Sequence, residues 1–143
     1  MTAVTTSRVG GEFTFTDQFC GAGGSSLGAT EAGGEVRLAM NHWALAISTH
    51  NRNFPNADHD CVDISVVSPA RYQRTNALIT SPECTNHSLA KGVKRQSAQI
   101  GMFENQKLDP AAVRSWATMF DVVEFTEHHR YDLIVVENVV DIR

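Results

Sequence analysis

The chain contains, near its start, Phe13-Thr-Phe-Thr-Asp-Gln-Phe-Cys-Gly-Ala-Gly-Gly24, a β-like stretch that runs into a glycine-rich turn. Glycines at a strand–helix turn let the backbone bend sharply and approach a ligand closely. A dinucleotide fingerprint would place a third glycine at position 26, which is Ser26, and no Gly-Lys-Ser/Thr sequence of a phosphate-binding P-loop follows. The stretch therefore predicts a ligand loop of another kind, with a ligand-free turn as the alternative.

The sequence beyond this turn alternates between helical patterns and short apolar runs. It predicts, in order, a helix that ends at Gly33-Gly34, a strand from Val36 to Met40, a helix from Trp43 to Asn53, a strand from Cys61 to Ile64, a helical turn from Pro69 and a buried strand over 77–80. This alternation is typical of an α/β fold with a doubly wound, mostly parallel sheet. In such sheets ligands bind at the carboxyl ends of the strands.

The last third of the chain predicts one long loop, one helix and one strand. Residues 82–108 are polar without periodicity, and loops of that length in compact domains are usually functional. Asp109-Pro110 predicts the start of a helix. Its predicted core-facing stripe comprises Val113, Trp116, Ala117, Phe120 and Val123. The apolar run Leu133-Ile-Val-Val136 predicts a buried strand that is covered on both faces.

Length and composition fit one globular domain. Residues 1–11 of the 143 are small and polar and predict a flexible N-terminus, and residues 12–143 predict the domain. No apolar stretch approaches the ~18 residues of a membrane span, and the start lacks a signal-peptide core, so a cytoplasmic location is expected. Three cysteines without a Cys-x-x-Cys pair argue against a disulfide framework or a zinc knuckle.

Cys84 lies just beyond the predicted strand at 77–80, between polar neighbours that do not resemble a core. A partly exposed thiol in an electropositive loop is favoured as the reactive thiolate. The alternative, a buried and inert thiol, fits Cys20 or Cys61 better. The net charge of −4 is not that of a basic nucleic-acid module, yet the loop after Cys84 is locally basic. The basic residues of interest are Lys91, Lys94 and Arg95.

Three further polar sequences lie at predicted strand ends. Asn41-His42-Trp43 occupies the position where nucleotide sites often carry a ribose-binding acid, and Trp43 is a candidate for stacking on adenine or, alternatively, for the core. Asp63 is a candidate acceptor for an adenine amino group or, alternatively, a turn residue. Glu137 ends an apolar strand and is expected to be poorly solvated, which suits a proton donor near neutral pH. An ordinary capping or salt-bridged glutamate is the alternative.

Histidines offer a metal site as another interpretation. Their spacing, with that of the run Asp58-His-Asp-Cys61, matches no known metal motif, so no metal is expected. The histidines concerned are His50, His59, His128 and His129.

Five of these sequences, in this order, resemble the motifs of the cytosine-5 DNA methyltransferase family over roughly residues 13–141. The motifs are Asp17-Gln-Phe-Cys-Gly-Ala-Gly-Gly24, Asn41-His-Trp43, Asp63-Ile64, Pro82-Glu-Cys84 and Glu137-Asn-Val139. The resemblance implies a Rossmann-like, S-adenosylmethionine-dependent methyltransferase fold. The implied cofactor-binding residues are Phe19, Cys20, Gly21, Ala22, Gly23, Gly24, His42, Trp43, Asp63, Ile64 and Pro82.

The resemblance also implies a reaction on DNA. A cytosine would be flipped out of the duplex, and the Cys84 thiolate would add to ring carbon 6. Glu137 would hold ring nitrogen 3 while carbon 5 takes the methyl group, and Asn138 would position the loops or the base. The implied contacts to backbone phosphates are those of Lys91, Lys94 and Arg95.

The chain departs from the family at three residues and in its extent. His42 stands where the family has an acid, Glu83 where it has the proline before the nucleophile, and Thr85 where it has glutamine. A carboxylate beside Cys84 is expected to disfavour the thiolate. The family's target-recognition region has no counterpart, so the fold is expected to be incomplete at its C-terminal side, and a second polypeptide is a candidate partner.

Three interpretations of the extent remain open: a fragment of a longer gene, one subunit of a split enzyme, or a decayed remnant. Two functions compete with methyl transfer to DNA. One is a truncated module that binds S-adenosylmethionine or a partner chain without turnover. The other is a nucleotide-dependent enzyme of another class on the same sheet.

Overall fold

The computed structural model describes residues 12–82 and 110–138, with side chains of the last helix from residue 118 onward. Five strands within these ranges form one parallel sheet in the order β3-β2-β1-β4-β5. The strands are β1 (Thr14–Gln18), β2 (Glu35–Asn41), β3 (Asp58–Cys61), β4 (Ala77–Thr80) and β5 (Leu133–Val136). The helices are α1 (Gly24–Glu31), α2 (Ala44–Asn53) and α3 (Pro110–His129). The predicted α/β fold with a parallel, Rossmann-like sheet is confirmed.

Two apolar layers cover the sheet on opposite faces. One layer joins Ala29 of α1 and Phe54, next to α2, to residues of β1, β2 and β4. The other joins Phe125 of α3 to Leu38 and Met40 of β2. Because α1 and α3 bury their apolar sides against opposite faces, the sheet is doubly wound and its central strands are buried on both faces.

A bulge in β2 lets that strand serve both layers. The pairing register shifts between Phe15 and Thr16, so that Phe15 pairs with Val36 and Thr16 with Leu38. Residues two apart in a regular strand point to one face, whereas here Val36 packs in the α1 layer and Leu38 in the α3 layer.

The third strand begins and ends earlier than predicted. It covers Asp58–Cys61 rather than 61–64. Asp63 instead caps a short 3-10 turn, Ile64–Val66, by accepting a hydrogen bond from the Ser65 N–H at 3.1 Å. The aspartate side chain competes for backbone N–H groups, which ends the extended conformation.

The predicted faces of α3 and β5 are wrong where they can be judged. Phe120 is 73% exposed and Val123 49%, while Val122 and Phe125 are buried. The helix therefore turns a neighbouring stripe to the sheet, and the predicted residues Val113, Trp116 and Ala117 lie outside the described side chains. In β5 the four apolar side chains are 38–47% exposed, because within the described residues no layer covers them as it covers β1 and β4.

Within residues 12–82 and 110–138, no helix combines the length and the apolarity that crossing a bilayer requires.

Candidate functional site

The glycine-rich loop lies at the carboxyl end of β1 and leads directly into α1. Three of its residues have positive φ, namely Phe19 at 59°, Gly21 at 53° and Gly23 at 104°. The Gly23 N–H donates to the Cys20 carbonyl at 2.9 Å, which closes the turn. Gly24 is exposed and has open space where a side chain would begin. The loop therefore presents backbone to a ligand at the sheet's switch point between β1 and β4.

A chain of buried hydrogen bonds lies beneath this loop. The Ser26 hydroxyl donates to Asp17 Oδ2 at 2.6 Å and lies 2.9 Å from His50 Nε2. His50 Nδ1 lies 2.8 Å from His59 Nε2. Asp17, Ser26 and His50 are each at most 1% exposed. The chain therefore links β1, α1, α2 and β3 through one polar path.

This polar path was missed by the sequence analysis, which considered Ser26 only as a missing glycine and His50 only as a metal ligand. One usable signal was present, because Ala46 and His50 are four residues apart on α2 and share its buried side. Within the described residues, no three Cys, His, Asp or Glu side chains are grouped closely enough to hold a metal ion.

Burial shifts the pKa values of two side chains in this path, Asp17 and His50, in opposite directions. It raises the pKa of Asp17 from 3.8 to about 6, against the hydrogen bond from Ser26, which lowers it. It lowers the pKa of His50 from 6.5 to about 4, and the neighbouring His59 lowers it further. Both shifts favour the neutral form, because a charged group in an apolar interior loses its hydration.

The two shifts are expected to cancel in the pH dependence of stability. Asp17 alone would lose stability as the pH rises through about 6, and His50 alone would lose it as the pH falls through about 4. Between these values the folded state holds one proton on Asp17, and the unfolded state holds one on His50. Asp17→Asn removes the loss of stability that Asp17 causes over this range. The free energy of unfolding of the variant is therefore expected to rise from pH 4 to 6.5 by roughly 3 kcal/mol more than that of the wild type.

Urea denaturation across this pH range measures the effect. His50→Gln is the opposite control, because Asp17 then remains as the only group of the pair with a shifted pKa. The free energy of unfolding of this variant is expected to fall as the pH rises. Wild-type and variant curves that run parallel would contradict the assignment of the two shifts.

Trp43 and Asp63 lie at the carboxyl ends of β2 and β3. Trp43 is the N-terminal cap of α2, its N–H bonds to Asn41 Oδ1 at 2.9 Å, and its side chain is 59% exposed, so the core alternative is wrong. His42 is exposed beside it. Asp63 is also exposed and caps the following turn, as its alternative interpretation holds, while Ile64 is buried in the α3 layer.

The ends of β4 and β5 are tied together by two hydrogen bonds. The Glu137 N–H donates to the Thr80 carbonyl at 2.9 Å, and Asn138 Nδ2 donates to the Pro82 carbonyl at 3.1 Å. Pro82 is buried. Glu137 is exposed, so the expectation of a poorly solvated carboxylate is wrong, since β5 is uncovered at this end.

The predicted nucleophile and phosphate contacts lie outside the described residues. They are Cys84, Lys91, Lys94 and Arg95. Of the described cysteines, Cys20 is buried, and burial together with Asp17 raises its pKa to about 12, so it remains a thiol. Cys61 is exposed and donates weakly to the His42 carbonyl at 3.8 Å.

Two polar side chains flank the switch point without a hydrogen-bond partner among residues 12–82 and 110–138. Gln18 and Thr80 are register partners at the ends of β1 and β4, and both are fully buried. Neither the Gln18 amide nor the Thr80 hydroxyl is paired. Such orphaned groups cost about 1–3 kcal/mol each, so this part of the sheet is less stable than an apolar one.

The fold is shared with methyltransferases of known structure. A DNA modification methyltransferase encoded within a prophage of E. coli superposes with a TM-score of 0.69 at 24% identity, over 91% of this chain and 33% of that one. The Dnmt2 methyltransferase of S. pombe superposes with a TM-score of 0.62 at 18% identity, over 90% and 37%. At these identities the likeness concerns the fold.

The sequence identifies the family. Residues 13–143 match the model of the C-5 cytosine-specific DNA methylase family, and the chain belongs to this family. It is 35% identical over 78 residues to Type II methyltransferase M.HgiGI of Herpetosiphon aurantiacus, covering 52% of this chain and 61% of that protein. It is 33% identical over 78 residues to M.HgiDI of the same organism, covering 25% of that protein. The chain thus covers less than two thirds of the length of these relatives.

Proposed function

We propose that the chain is the cofactor-binding and nucleophile-bearing part of a DNA (cytosine-5-)-methyltransferase. The observation that carries the proposal is the pair of hydrogen bonds between the ends of β4 and β5, from Glu137 to Thr80 and from Asn138 to Pro82. These bonds hold a carboxylic acid beside the segment that leads to Cys84, two residues beyond Pro82. A nucleophile and a proton donor that follow two adjacent parallel strands in the sequence can act on the same substrate ring.

The residues present fit S-adenosylmethionine as the cofactor. Phe19, Gly21 and Gly23 have positive φ in the turn after β1, and a Cβ at Gly24 would meet open space, which leaves room for a ligand beside the turn. Trp43 offers an exposed aromatic face at the end of the neighbouring strand, where an adenine can stack. His42 and Asp63 are exposed polar groups for the adenosine, and Cys20, Ala22, Ile64 and Pro82 complete the proposed set. The cofactor supplies an electrophilic methyl group when bound.

The chain's own groups perform the other steps. The Cys84 thiolate adds to carbon 6 of a flipped cytosine, and Glu137 donates a proton to ring nitrogen 3, so that carbon 5 becomes nucleophilic. After carbon 5 has accepted the methyl group, it loses its proton to a water molecule, the electron pair of that C–H bond forms the double bond between carbons 5 and 6, and the bond from carbon 6 to sulfur breaks to restore the thiolate. Ring nitrogen 3 returns its proton to Glu137. Asn138 holds the nucleophile segment through the Pro82 carbonyl.

DNA and further polypeptide are the proposed partners. Lys91, Lys94 and Arg95 contribute cations for backbone phosphates, in a locally basic stretch of a chain whose net charge is −4. The exposed apolar side chains of β5 support a second polypeptide, or a further segment, packing against this strand and supplying target recognition. The proposed location is the cytoplasm, with a bacterial or phage gene as the source. The domain then comprises residues 12–143.

A second candidate function is cofactor binding without turnover. It is favoured by the exposed apolar side chains of β5, which no layer within the described residues covers. The same glycine loop serves both functions, so a test has to separate binding from chemistry.

The experiment combines calorimetry with covalent trapping. Purified chain is titrated with S-adenosylhomocysteine, and then incubated with S-adenosylmethionine and a pool of duplex DNA that contains 5-fluorocytosine. The fluorine at carbon 5 prevents the final elimination, so the protein stays attached to DNA on a denaturing gel. Cys84→Ala is expected to abolish the adduct, and Cys61→Ser, which alters the exposed cysteine away from the proposed nucleophile, is expected to retain it.

Each outcome separates the candidates. An adduct that depends on Cys84 supports the methyltransferase, and an adduct that survives Cys84→Ala contradicts its mechanism. Cofactor binding without any adduct supports the binding module. Absence of cofactor binding contradicts both.

A further inference from the structure

The last turn of α2 supports the glycine loop from behind through three contacts. The His50 ring lies 2.9 Å from the Ser26 hydroxyl, in the first turn of α1. Asn53 Nδ2 donates to the Ala22 carbonyl at 2.8 Å. The Phe54 ring lies so close beneath Gly23 that a Cβ there would overlap it. The loop is therefore shaped by α2 as well as by its own glycines.

The Asp17 carboxylate determines which group donates in each hydrogen bond of the path from Asp17 through Ser26 and His50 to His59. The Ser26 hydroxyl donates its single proton to Asp17, so it has to accept from the His50 ring. His50 then carries its proton on Nε2, and its Nδ1 accepts a hydrogen bond from the His59 Nε2–H, with 2.8 Å between the two nitrogens. In the other tautomer, the lone pair of His50 Nε2 would face a lone pair of the Ser26 hydroxyl oxygen, and no hydrogen bond could form between them.

We propose that His50 is a positioning residue for the cofactor loop: as the neutral Nε2–H tautomer, it fixes Ser26 and the first turn of α1, and thereby the backbone of Phe19 to Gly24 in its ligand-binding shape. The inference rests on the proposed binding of S-adenosylmethionine by that loop. It assigns to α2 a role in affinity that the loop sequence does not reveal.

The surroundings of His50 keep it in this form. The titratable groups that face it are His59 on β3, directly, and Asp17 on β1, through Ser26. On its own helix it packs against the Phe54 ring, with ring centroids 4.8 Å apart. Burial and His59 lower the pKa of His50 to about 4, so the ring is neutral at physiological pH.

The test uses the full 143-residue chain and S-adenosylhomocysteine as the probe. His50→Met, which fills the space but has no donor, is expected to weaken binding about 10-fold. His50→Gln, whose amide can donate to Ser26, is expected to restore affinity to within about 3-fold of the wild type. Thr49→Ala is the matched control, since it removes a hydrogen bond to the Leu45 carbonyl on the same helix and leaves the loop untouched.

Nitrogen-15 NMR of the imidazole rings provides a second readout that does not depend on any variant. The wild-type chain is expected to give the Nε2–H tautomer for His50, and the Nδ1–H tautomer would overturn the inference. Wild-type affinity in folded His50→Met would also overturn it. If His50→Met does not fold, Ser26→Ala removes the same hydrogen bond and decides in its place. A wild-type chain that does not bind the probe contradicts the proposed function, whereas the tautomer still tests the geometry.

Discussion

Gly23→Ala is expected to lower the free energy of unfolding by about 2–4 kcal/mol and to weaken cofactor binding at least about 10-fold. Gly23 has φ of 104°, which costs an L-residue about 1–2 kcal/mol. The added methyl group would overlap the Phe54 ring and lie 3.3 Å from His50 Cδ2. The loop or α2 has to move, and either movement disturbs the hydrogen bond between Ser26 and His50.

Urea denaturation and calorimetry with S-adenosylhomocysteine measure the two effects of Gly23→Ala. Gly28→Ala is the matched control, because its Cβ would meet open space in the middle of α1. It is expected to stabilise the chain by about 0.5–1 kcal/mol. A Gly23→Ala protein with wild-type stability would mean that α2 does not press on the loop.

Phe125→Ala is expected to lower the free energy of unfolding by about 3–5 kcal/mol. The Phe125 ring is 1% exposed and packs in one layer with Leu38, Met40 and Ile64. It also stacks on Tyr72, with ring centroids 6.0 Å apart. Removal leaves a cavity between α3 and the sheet that β-sheet backbone cannot collapse to fill.

Phe120→Ala on the same helix is the control for Phe125→Ala. Phe120 is 73% exposed, so its loss is expected to change stability by no more than about 0.5 kcal/mol. Chemical denaturation of both variants compares them directly. Similar losses of stability for Phe120→Ala and Phe125→Ala would contradict the assignment of the buried side of α3.

The fold was largely predictable because its signals are local. The strand at 77–80 is a short apolar run, and α2 ends just before Pro55, so neighbouring residues suffice to place both. The buried side of α3 was not predictable in this way. Phe120 and Val123 lie at helical spacing as well as Val122 and Phe125 do, and only the position of the sheet decides which pair is buried.

The site was predictable where one turn of chain contains it. The glycine loop is such a turn, and its positive φ values require the glycines found there. The contact between Ser26 and His50 joins residues 24 apart, and the pairing of Asn138 with Pro82 joins residues 56 apart. Long-range contacts of this kind depend on the assembled sheet, so sequence spacing does not reveal them. The roles of Cys84 and of the cofactor residues stay predictions.

The uncovered strand β5 also bears on how copies of the chain behave in concentrated solution. A run of four β-branched or leucine side chains at an open edge is a template for stacking of copies. Here the run is bracketed by Asp132 and Glu137, so that parallel or antiparallel edge pairing brings carboxylates of two copies together. Arg74 forms a salt bridge with Asp132 at 2.8 Å, which partly neutralises that carboxylate. Glu137 is therefore expected to contribute more of the repulsion between two copies. The acid proposed for catalysis is thus also expected to disfavour edge-to-edge association of copies.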